Sequence, residues 1–273
     1  MNADQSNVIF EVEDSAALIR LNRPEKLNAF TFRMIDEIRS AVDRAAADER
    51  VIGLIITGSG RSFSAGLDTA DLARSASGAV PRQEPGGSGP EDELPALFSY
   101  LLRVPKPVIA AVNGVAAGGG FVLAMMCDLR FAAEGATFTT AFSRRGLIAE
   151  HGTSWLLPRI AGPSRALDLL WSSRRIDSAE AMRMGFVDRI LPADRLLDEA
   201  RAYIRDLAAN VSPRSIAVMK SQIYRHLGMA IEPAIRETDV NMNEALAHPD
   251  ATEGVASFVE KRPPRFQRLK GNR

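Results

Sequence analysis

Apolar and polar positions near the start of the chain alternate and then change to a helical period. Residues 8–13 and 17–21 alternate on either side of a polar Asp-Ser pair, which predicts a β-hairpin. Over residues 31–47 the apolar positions fall on one face of a helix, at Met34, Ile35, Ile38 and Val42. The first part of the chain is therefore predicted to be a hairpin followed by an amphipathic helix.

Two runs further along the chain are apolar without alternation. Residues 51–57 (VIGLIIT) and 108–112 (VIAAV) have the pattern that is typical of strands buried on both faces of a sheet. Residues 129–133 and 137–138 are candidates for further short strands. Because helical stretches separate the strands, the pattern indicates an α/β fold with a largely parallel sheet and crossover helices.

Residues 73–93 show no period and are rich in Gly, Pro and Ser, which predicts a mobile loop. Two interpretations of this loop stay open. A long structureless segment in a compact domain is often a lid or a substrate-access element. The same segment would also be tolerated as a surface insertion without a functional role.

From residue 164 onward the pattern is mostly helical. Ser164 is expected to cap a helix whose apolar face carries Leu167, Leu170 and Trp171. Further helices are predicted over residues 178–184, 194–209, 213–227, 231–247 and 251–261. We therefore predict a core domain over residues 1–200 and a helical region over residues 201–273 that packs against another subunit.

Composition narrows the class of protein. The 273 residues carry 34 Lys plus Arg and 34 Asp plus Glu, so the basic excess of a general nucleic-acid binder is missing. The single cysteine, Cys127, excludes an intrachain disulfide and favours a reducing compartment, which we expect to be the cytoplasm. The uncharged residues 107–127 are long enough for a membrane span, but an Asn-Gly turn in their middle argues against one.

The sequence lacks the motifs of several common catalytic and cofactor-binding sites. The chain has neither a complete dinucleotide fingerprint nor a phosphate-binding loop, and no Gly-x-Ser-x-Gly nucleophile elbow. Its three histidines, at positions 151, 226 and 248, are not spaced as metal ligands. We therefore expect no metal and no bound cofactor.

Two small-residue loops are the most distinctive feature. Residues 58–68 and 113–120 each follow a predicted buried strand, and ligand sites gather at the carboxyl ends of such strands. The Gly118-Gly119-Gly120 run also opens a helix, whose first N–H groups lack intrahelical acceptors and favour negative charge. The loops are therefore candidates for an oxyanion hole, although tight turns and a close helix–sheet contact would produce the same pattern.

At these residues the chain resembles the crotonase superfamily, that is, the enoyl-CoA hydratase/isomerase family. The matching segments are LNRPEKLNAF (21–30), GSGRSFSAGLD (58–68), KPVIAAVNGVAAGGGFVLAMMCD (106–128), GLIAEHGTSWLLPRIAG (146–162) and FVEKR (258–262). The resemblance implies a ββα-spiral core with a helical C-terminal trimerisation region. It also implies an acyl-CoA thioester as the substrate, with coenzyme A as part of that substrate, and homotrimers that pair into hexamers.

The resemblance also assigns residues to the site. The oxyanion hole would be the backbone N–H groups of Leu67 and Gly119. Coenzyme A contacts would fall near Lys26, Ala29, Ala65, Asp68 and Gly118, with Phe258 and Lys261 completing the site across a subunit boundary. Asp68 could instead cap the turn that follows the first loop.

One departure from the family pattern bears on the reaction. Hydratases of the family use two glutamates, and the corresponding positions here are Val122 and Phe142, which cannot move a proton. Glu150 remains, where the resemblance is to peroxisomal-type 3-enoyl-CoA to 2-enoyl-CoA isomerases with a single glutamate base. Val122, Phe142 and Trp155 would then line an apolar pocket around Glu150.

Alternatives to isomerisation stay open. They are hydration or hydrolysis of an acyl-CoA by an atypical site, and acyl-CoA binding with little catalysis. Glu150 could also merely cap the next helix. His151 could line the pocket or bind a carboxylate, but the side chain of an adjacent residue is expected to point elsewhere.

Overall fold

The computed structural model describes residues 6–77, 94 and 96–270, and within them the chain forms ten strands and ten α-helices. The strands are β1 (Val8–Glu13), β2 (Ala16–Leu21), β3 (Gly53–Gly58), β4 (Ser62–Ser64), β5 (Val108–Val112), β6 (Val115–Ala117), β7 (Leu129–Ala133), β8 (Thr137–Thr139), β9 (Ile176–Asp177) and β10 (Arg189–Leu191). The helices are α1 (Phe32–Ala47), α2 (Thr69–Ala76), α3 (Gly119–Met126), α4 (Thr153–Ala161), α5 (Pro163–Ser172), α6 (Ser178–Arg183), α7 (Leu196–Asn210), α8 (Pro213–His226), α9 (Ile231–Ala247) and α10 (Pro249–Glu260).

The strands form two sheets that the chain visits in turn. The larger sheet has the order β1-β2-β3-β5-β7-β10 and is parallel except at the β1–β2 hairpin. The smaller sheet has the order β4-β6-β8-β9 and is parallel except between β8 and β9. Each successive pair, β3–β4, β5–β6 and β7–β8, adds one strand to each sheet. This confirms the α/β class, the ββα spiral and the helical C-terminal region.

The apolar runs of β3 and β5 are buried because both faces of the larger sheet are covered. Leu54 and Val108 pack into the main core, whereas Ile55 and Ile109 face a second core that α7 closes. Since successive side chains point to opposite faces and both faces are buried, apolar and polar positions do not alternate along such a strand. The predicted domain boundary at residue 200 falls inside α7. This helix packs against the sheet in the second core through Leu196, Ala200 and Ile204.

Several helix boundaries and faces differ from the prediction. The α1 helix is capped by Thr31, whose Oγ1 accepts from the Met34 N–H at 3.2 Å. Ser164 does not cap a helix, because α5 begins at Pro163 and the capping position is Gly162. The apolar face predicted for α5 is right for Leu170, which packs against the main core, and wrong for the other two residues. The buried residues of α5 are Ala166 and Leu169, while Leu167 and Trp171 are exposed.

The predicted loop over residues 73–93 begins later than expected. Its first residues belong to α2, which runs to Ala76. Residues 78–93 lie outside the described residues, so both interpretations of this loop stay predictions. Residues 107–127 form β5, β6 and α3, and no helix within the described ranges is long and apolar enough to cross a membrane.

A buried polar cluster joins α8 to the sheet. Asp128 accepts hydrogen bonds from the Lys220 Nζ at 2.6 Å, the Tyr224 hydroxyl at 2.9 Å and the Val108 N–H at 2.7 Å. Lys220 also donates to the Leu101 and Lys106 carbonyls. Each partner satisfies a group that would otherwise be buried without a hydrogen bond. The cluster therefore fixes α8 against the first residue of β5, Val108.

The C-terminal helices expose apolar side chains beyond this cluster. None of the α9 residues is buried, and the exposed apolar residues of α8, α9 and α10 include Met219, Ile223, Ile231, Ile235, Val240, Met242, Leu246, Val255, Phe258 and Val259. A surface of this kind is typical of a subunit interface. The trimer or hexamer stays a prediction that agrees with this surface.

The buried thiol of Cys127 predicts that the protein loses stability at alkaline pH. The thiol is fully buried at the end of α3, and burial raises its pKa from 9.0 to about 12. Above pH 9 the unfolded chain loses this proton while the folded chain keeps it. The free energy of unfolding should therefore fall between about pH 9 and 12, by up to about 1.4 kcal/mol per pH unit. Urea unfolding of wild type and Cys127→Ala across this range measures the effect, and equal pH slopes would contradict it.

Candidate active site

A cleft with a volume of about 360 Å³ opens at the carboxyl ends of the smaller sheet. Ala65, Gly118 and Thr140 line it, and each directly follows a strand, β4, β6 and β8 respectively. The other lining residues are Lys26, Ala29, Gly66, Leu67, Asp68, Thr69, Leu72, Gly119, Ala141, Phe142, Arg145, Leu147 and Glu150. The prediction placed the site at the ends of β3 and β5. In the structure the site lies instead at the ends of the strands that come next in the chain, β4 after β3 and β6 after β5.

The two N–H groups predicted for the oxyanion hole lie in this cleft without acceptors. Phe30 bridges the Leu67 segment by donating to the Gly66 carbonyl and accepting from the Asp68 N–H. In such a parallel bridge the N–H of the middle residue, Leu67, points away from the neighbouring chain. Gly119 is the first residue of α3, so its N–H has no acceptor within the helix. Neither N–H has an acceptor among the residues that the structure describes.

Glycine is required where the two loops meet. Gly66 has a φ of 91°, and a Cβ atom there would lie 2.7 Å from the Ala117 carbonyl oxygen and 3.0 Å from the Gly119 nitrogen. A Cβ atom at Gly120 would lie 2.3 Å from the Ser64 carbonyl oxygen. Real side chains cannot occupy such positions unless the backbone moves. The glycines therefore allow the approach that brings the Leu67 and Gly119 N–H groups into one cleft.

Among the described residues, Glu150 and Asp68 are the two carboxylates that line the cleft. Glu150 lies in the turn before α4, and its carbonyl accepts from the Thr153 N–H at 3.0 Å. Its side chain is 41% exposed, and its Oε1 lies 3.6 Å from the His151 Nε2. The carboxylate does not cap the helix, because α4 has no side-chain cap. The Oε2 of Glu150 has no hydrogen-bond partner among the residues that the structure describes, and Glu150 lines the same cleft as Leu67 and Gly119.

Asp68 is held by structural contacts within the same cleft. Its Oδ1 accepts from the Ala70 N–H at 3.1 Å, and the Arg23 guanidinium donates to its Oδ2 at 3.2 Å. The Ala70 N–H and the Arg23 charge hold the pKa of Asp68 below its ordinary value. Asp68 directly precedes α2 and caps this turn through its Oδ1, as one interpretation of the sequence expected.

Two predicted pocket residues do not line the cleft. Val122 is fully buried in the main core, because the first turn of α3 directs it away from the cavity. Trp155 lies on the outer face of α4, with the Arg159 guanidinium 4.1 Å from its ring centre, while the neighbouring Leu156 is buried. Phe142 does line the cleft, so the apolar wall predicted around Glu150 is present only in part.

Phe258 and Lys261 are also absent from the cleft of the single chain. Phe258 is 86% exposed, and Lys261 directly follows α10, which packs on α9. Their predicted contribution across a subunit boundary stays a prediction. Conversely, the sequence did not point to Thr69, Leu72, Thr140, Ala141, Arg145 and Leu147, which also line the cleft. The signal that could have found Thr140 and Ala141 was their place directly after β8.

The spiral of paired strands and the cleft with two free N–H donors define a protein of the crotonase fold. A family model described as enoyl-CoA hydratase/isomerase matches residues 11–269. A probable enoyl-CoA hydratase of Mycobacterium tuberculosis is 34% identical over 259 residues, which cover 95% of this chain and 97% of that protein. The 1,2-epoxyphenylacetyl-CoA isomerase of Escherichia coli is 33% identical over 264 residues, with coverage of 95% and 97%.

Solved structures agree with the sequence comparison. An enoyl-CoA hydratase subunit from Geobacillus kaustophilus superposes with a TM-score of 0.84 at 31% identity, covering 97% of this chain and 99% of that one. The chain therefore belongs to the enoyl-CoA hydratase/isomerase family.

Proposed function

We propose that this enzyme isomerises the double bond of an enoyl-CoA thioester and uses Glu150 as its single base. The observation that carries the proposal is the set of residues that line the cleft. Glu150 shares it with the free N–H groups of Leu67 and Gly119, whereas the two positions of the hydratase glutamates are Val122 and Phe142. Proton removal and return by one carboxylate is a reaction that this set of groups can perform.

The reaction balances with these groups alone. The Glu150 carboxylate takes a proton from C2 of a 3-enoyl thioester, and the electron pair moves onto the carbonyl oxygen. The Leu67 and Gly119 N–H groups stabilise that oxyanion, and the loss of one such donor typically costs about 2.7–4 kcal/mol. Glu150 then returns the proton at C4, so that the double bond lies between C2 and C3.

The rest of the cleft suits the coenzyme A part of the substrate. Lys26, Ala29, Ala65 and Asp68 line the same cleft as Leu67. Lys26 supplies a positive charge for a phosphate group, and the small Ala29 and Ala65 side chains leave room for a narrow chain. We infer that these residues contact coenzyme A, with Gly118 at the thioester.

Hydration is the second candidate, because most of the related proteins carry hydratase names. To separate the two reactions, the purified protein is given 3-hexenoyl-CoA and crotonyl-CoA. We expect conversion of 3-hexenoyl-CoA to the 2-enoyl product to exceed hydration of crotonyl-CoA by at least about tenfold. Faster hydration of crotonyl-CoA would contradict the proposal. Turnover of neither substrate would also contradict it and would favour the acyl-CoA-binding alternative.

A further inference from the structure

The side chains of Glu150 and His151 face each other although the residues are adjacent. The His151 Nε2 lies 3.6 Å from the Glu150 Oε1. His151 does not line the cleft, as the sequence predicted, yet its ring approaches the Glu150 carboxylate. The reason is the backbone, because His151 has a φ of 54° and Gly152 a φ of 74°. Two consecutive residues in the left-handed region turn the chain sharply enough to bring neighbouring side chains together.

This turn is held by the first residues of α4. The Thr153 N–H donates to the Glu150 carbonyl at 3.0 Å, and the Leu156 N–H donates to the Gly152 carbonyl at 2.9 Å. A left-handed histidine costs free energy and persists only where its surroundings determine it. Such residues occur preferentially at functional sites, and this one adjoins the carboxylate of the cleft.

The second ring nitrogen of His151 is also engaged. The Leu97 N–H points at the His151 Nδ1 at 3.4 Å, so Nδ1 is the acceptor. In a neutral imidazole the proton then lies on Nε2, which is the atom nearest Glu150. Burial lowers the pKa of His151, which favours the neutral ring at neutral pH, while the Glu150 charge acts in the opposite direction.

Resting on the proposed function, we propose that His151 is a positioning residue for the base. Its Nε2–H holds the Oε1 of Glu150, and the other carboxylate oxygen is left to take the substrate proton. The separation of 3.6 Å is longer than a formed hydrogen bond. Catalytic contacts are often long without substrate and shorten in the substrate complex.

The pairing is tested first without any activity assay. With three histidines in the chain, ¹H–¹⁵N correlation spectra can follow each ring separately. We expect His151 to be the Nε2–H tautomer at pH 7, and Glu150→Gln to lower its pKa, since the carboxylate that favours the charged ring is removed. His226 and His248 serve as internal controls that should not change. An Nδ1–H tautomer, or a His151 titration unchanged by Glu150→Gln, would overturn the proposal.

The positioning role is tested by kinetics on 3-hexenoyl-CoA. His151→Phe keeps the size of the ring and removes both nitrogens, and we expect kcat to fall about 10- to 100-fold with KM changed less than about twofold. His151→Gln can place an N–H donor near the Nε2 position and should recover most of kcat. If both variants lose the same activity, in proportion to a loss of folded protein, the role is merely structural and the proposal fails. Undiminished isomerisation by Glu150→Gln would instead refute the proposed function, and the spectra would still decide the pairing.

Discussion

Glu150→Gln is expected to lower kcat for isomerisation of a 3-enoyl-CoA by about 10²- to 10⁴-fold, the range that a positioned acid–base group contributes. The glutamine is nearly the same size and keeps one oxygen, so the cleft should still bind the thioester. It cannot accept the C2 proton or return it at C4. We therefore expect KM to remain close to the wild-type value, and steady-state kinetics on 3-hexenoyl-CoA measures both constants.

The matched control is Glu134→Gln, which makes the same chemical change at an exposed turn after β7. This variant should keep the wild-type kcat and KM. Circular dichroism and thermal unfolding of both variants exclude a general loss of structure. Retention of more than about half of kcat by Glu150→Gln would remove Glu150 from the mechanism and require another base in the cleft.

The second large effect is expected from Gly66→Ala. The new methyl group would lie 2.7 Å from the Ala117 carbonyl oxygen and 3.0 Å from the Gly119 nitrogen, so the two loops must separate. Separation moves the Leu67 and Gly119 N–H groups off the position of a common oxyanion. Because the loss of one donor costs about 10²- to 10³-fold in kcat, we expect a decrease of at least that size.

Gly135→Ala distinguishes loop separation from simple backbone strain. Gly135 also has a positive φ, of 80°, but a Cβ atom there meets nothing within 4 Å. Both variants should lose stability from the strained backbone, which for alanine is about 1–2 kcal/mol. Only Gly66→Ala should lose kcat in the fraction that remains folded. Equal kcat values for the two folded variants would show that the contact between the loops does not set the oxyanion hole.

The parts of the fold that follow from local pattern were predictable. The β1–β2 hairpin and α1 each have a periodicity that one secondary structure satisfies, and β5 is a short run of apolar residues. The observed bounds of all three lie within about a residue of the prediction. Most of the smaller sheet was not predictable in this way. Strands β4 and β6 have three residues each and lie inside loops, so no period can develop, and tertiary pairing alone makes them strands. Strand β8 agrees with the short strand predicted at residues 137–138.

The site was predictable where glycine marks a close approach. Gly119 and Leu67 were assigned to the oxyanion hole by resemblance to the family, and the structure places both in the cleft. Val122 and Trp155 were misplaced because the assignment of a pocket wall needs the rotation of α3 and α4 about their axes. The contact between Glu150 and His151 could not be foreseen either. It depends on a left-handed histidine, a conformation that the sequence does not signal.

The Asp128 cluster has a consequence for synthesis of the protein. Asp128 lies between α3 and β7, yet its main partner, Lys220, lies 92 residues further along the chain. While a ribosome is still translating the intervening segment, this carboxylate has neither its ammonium nor its phenol partner. The strands of the larger sheet can pair during this interval. The polar cluster at the start of β5 forms only after α8 has left the exit tunnel. The cluster that fixes α8 against the sheet is therefore completed late in synthesis, because Lys220 must first be translated.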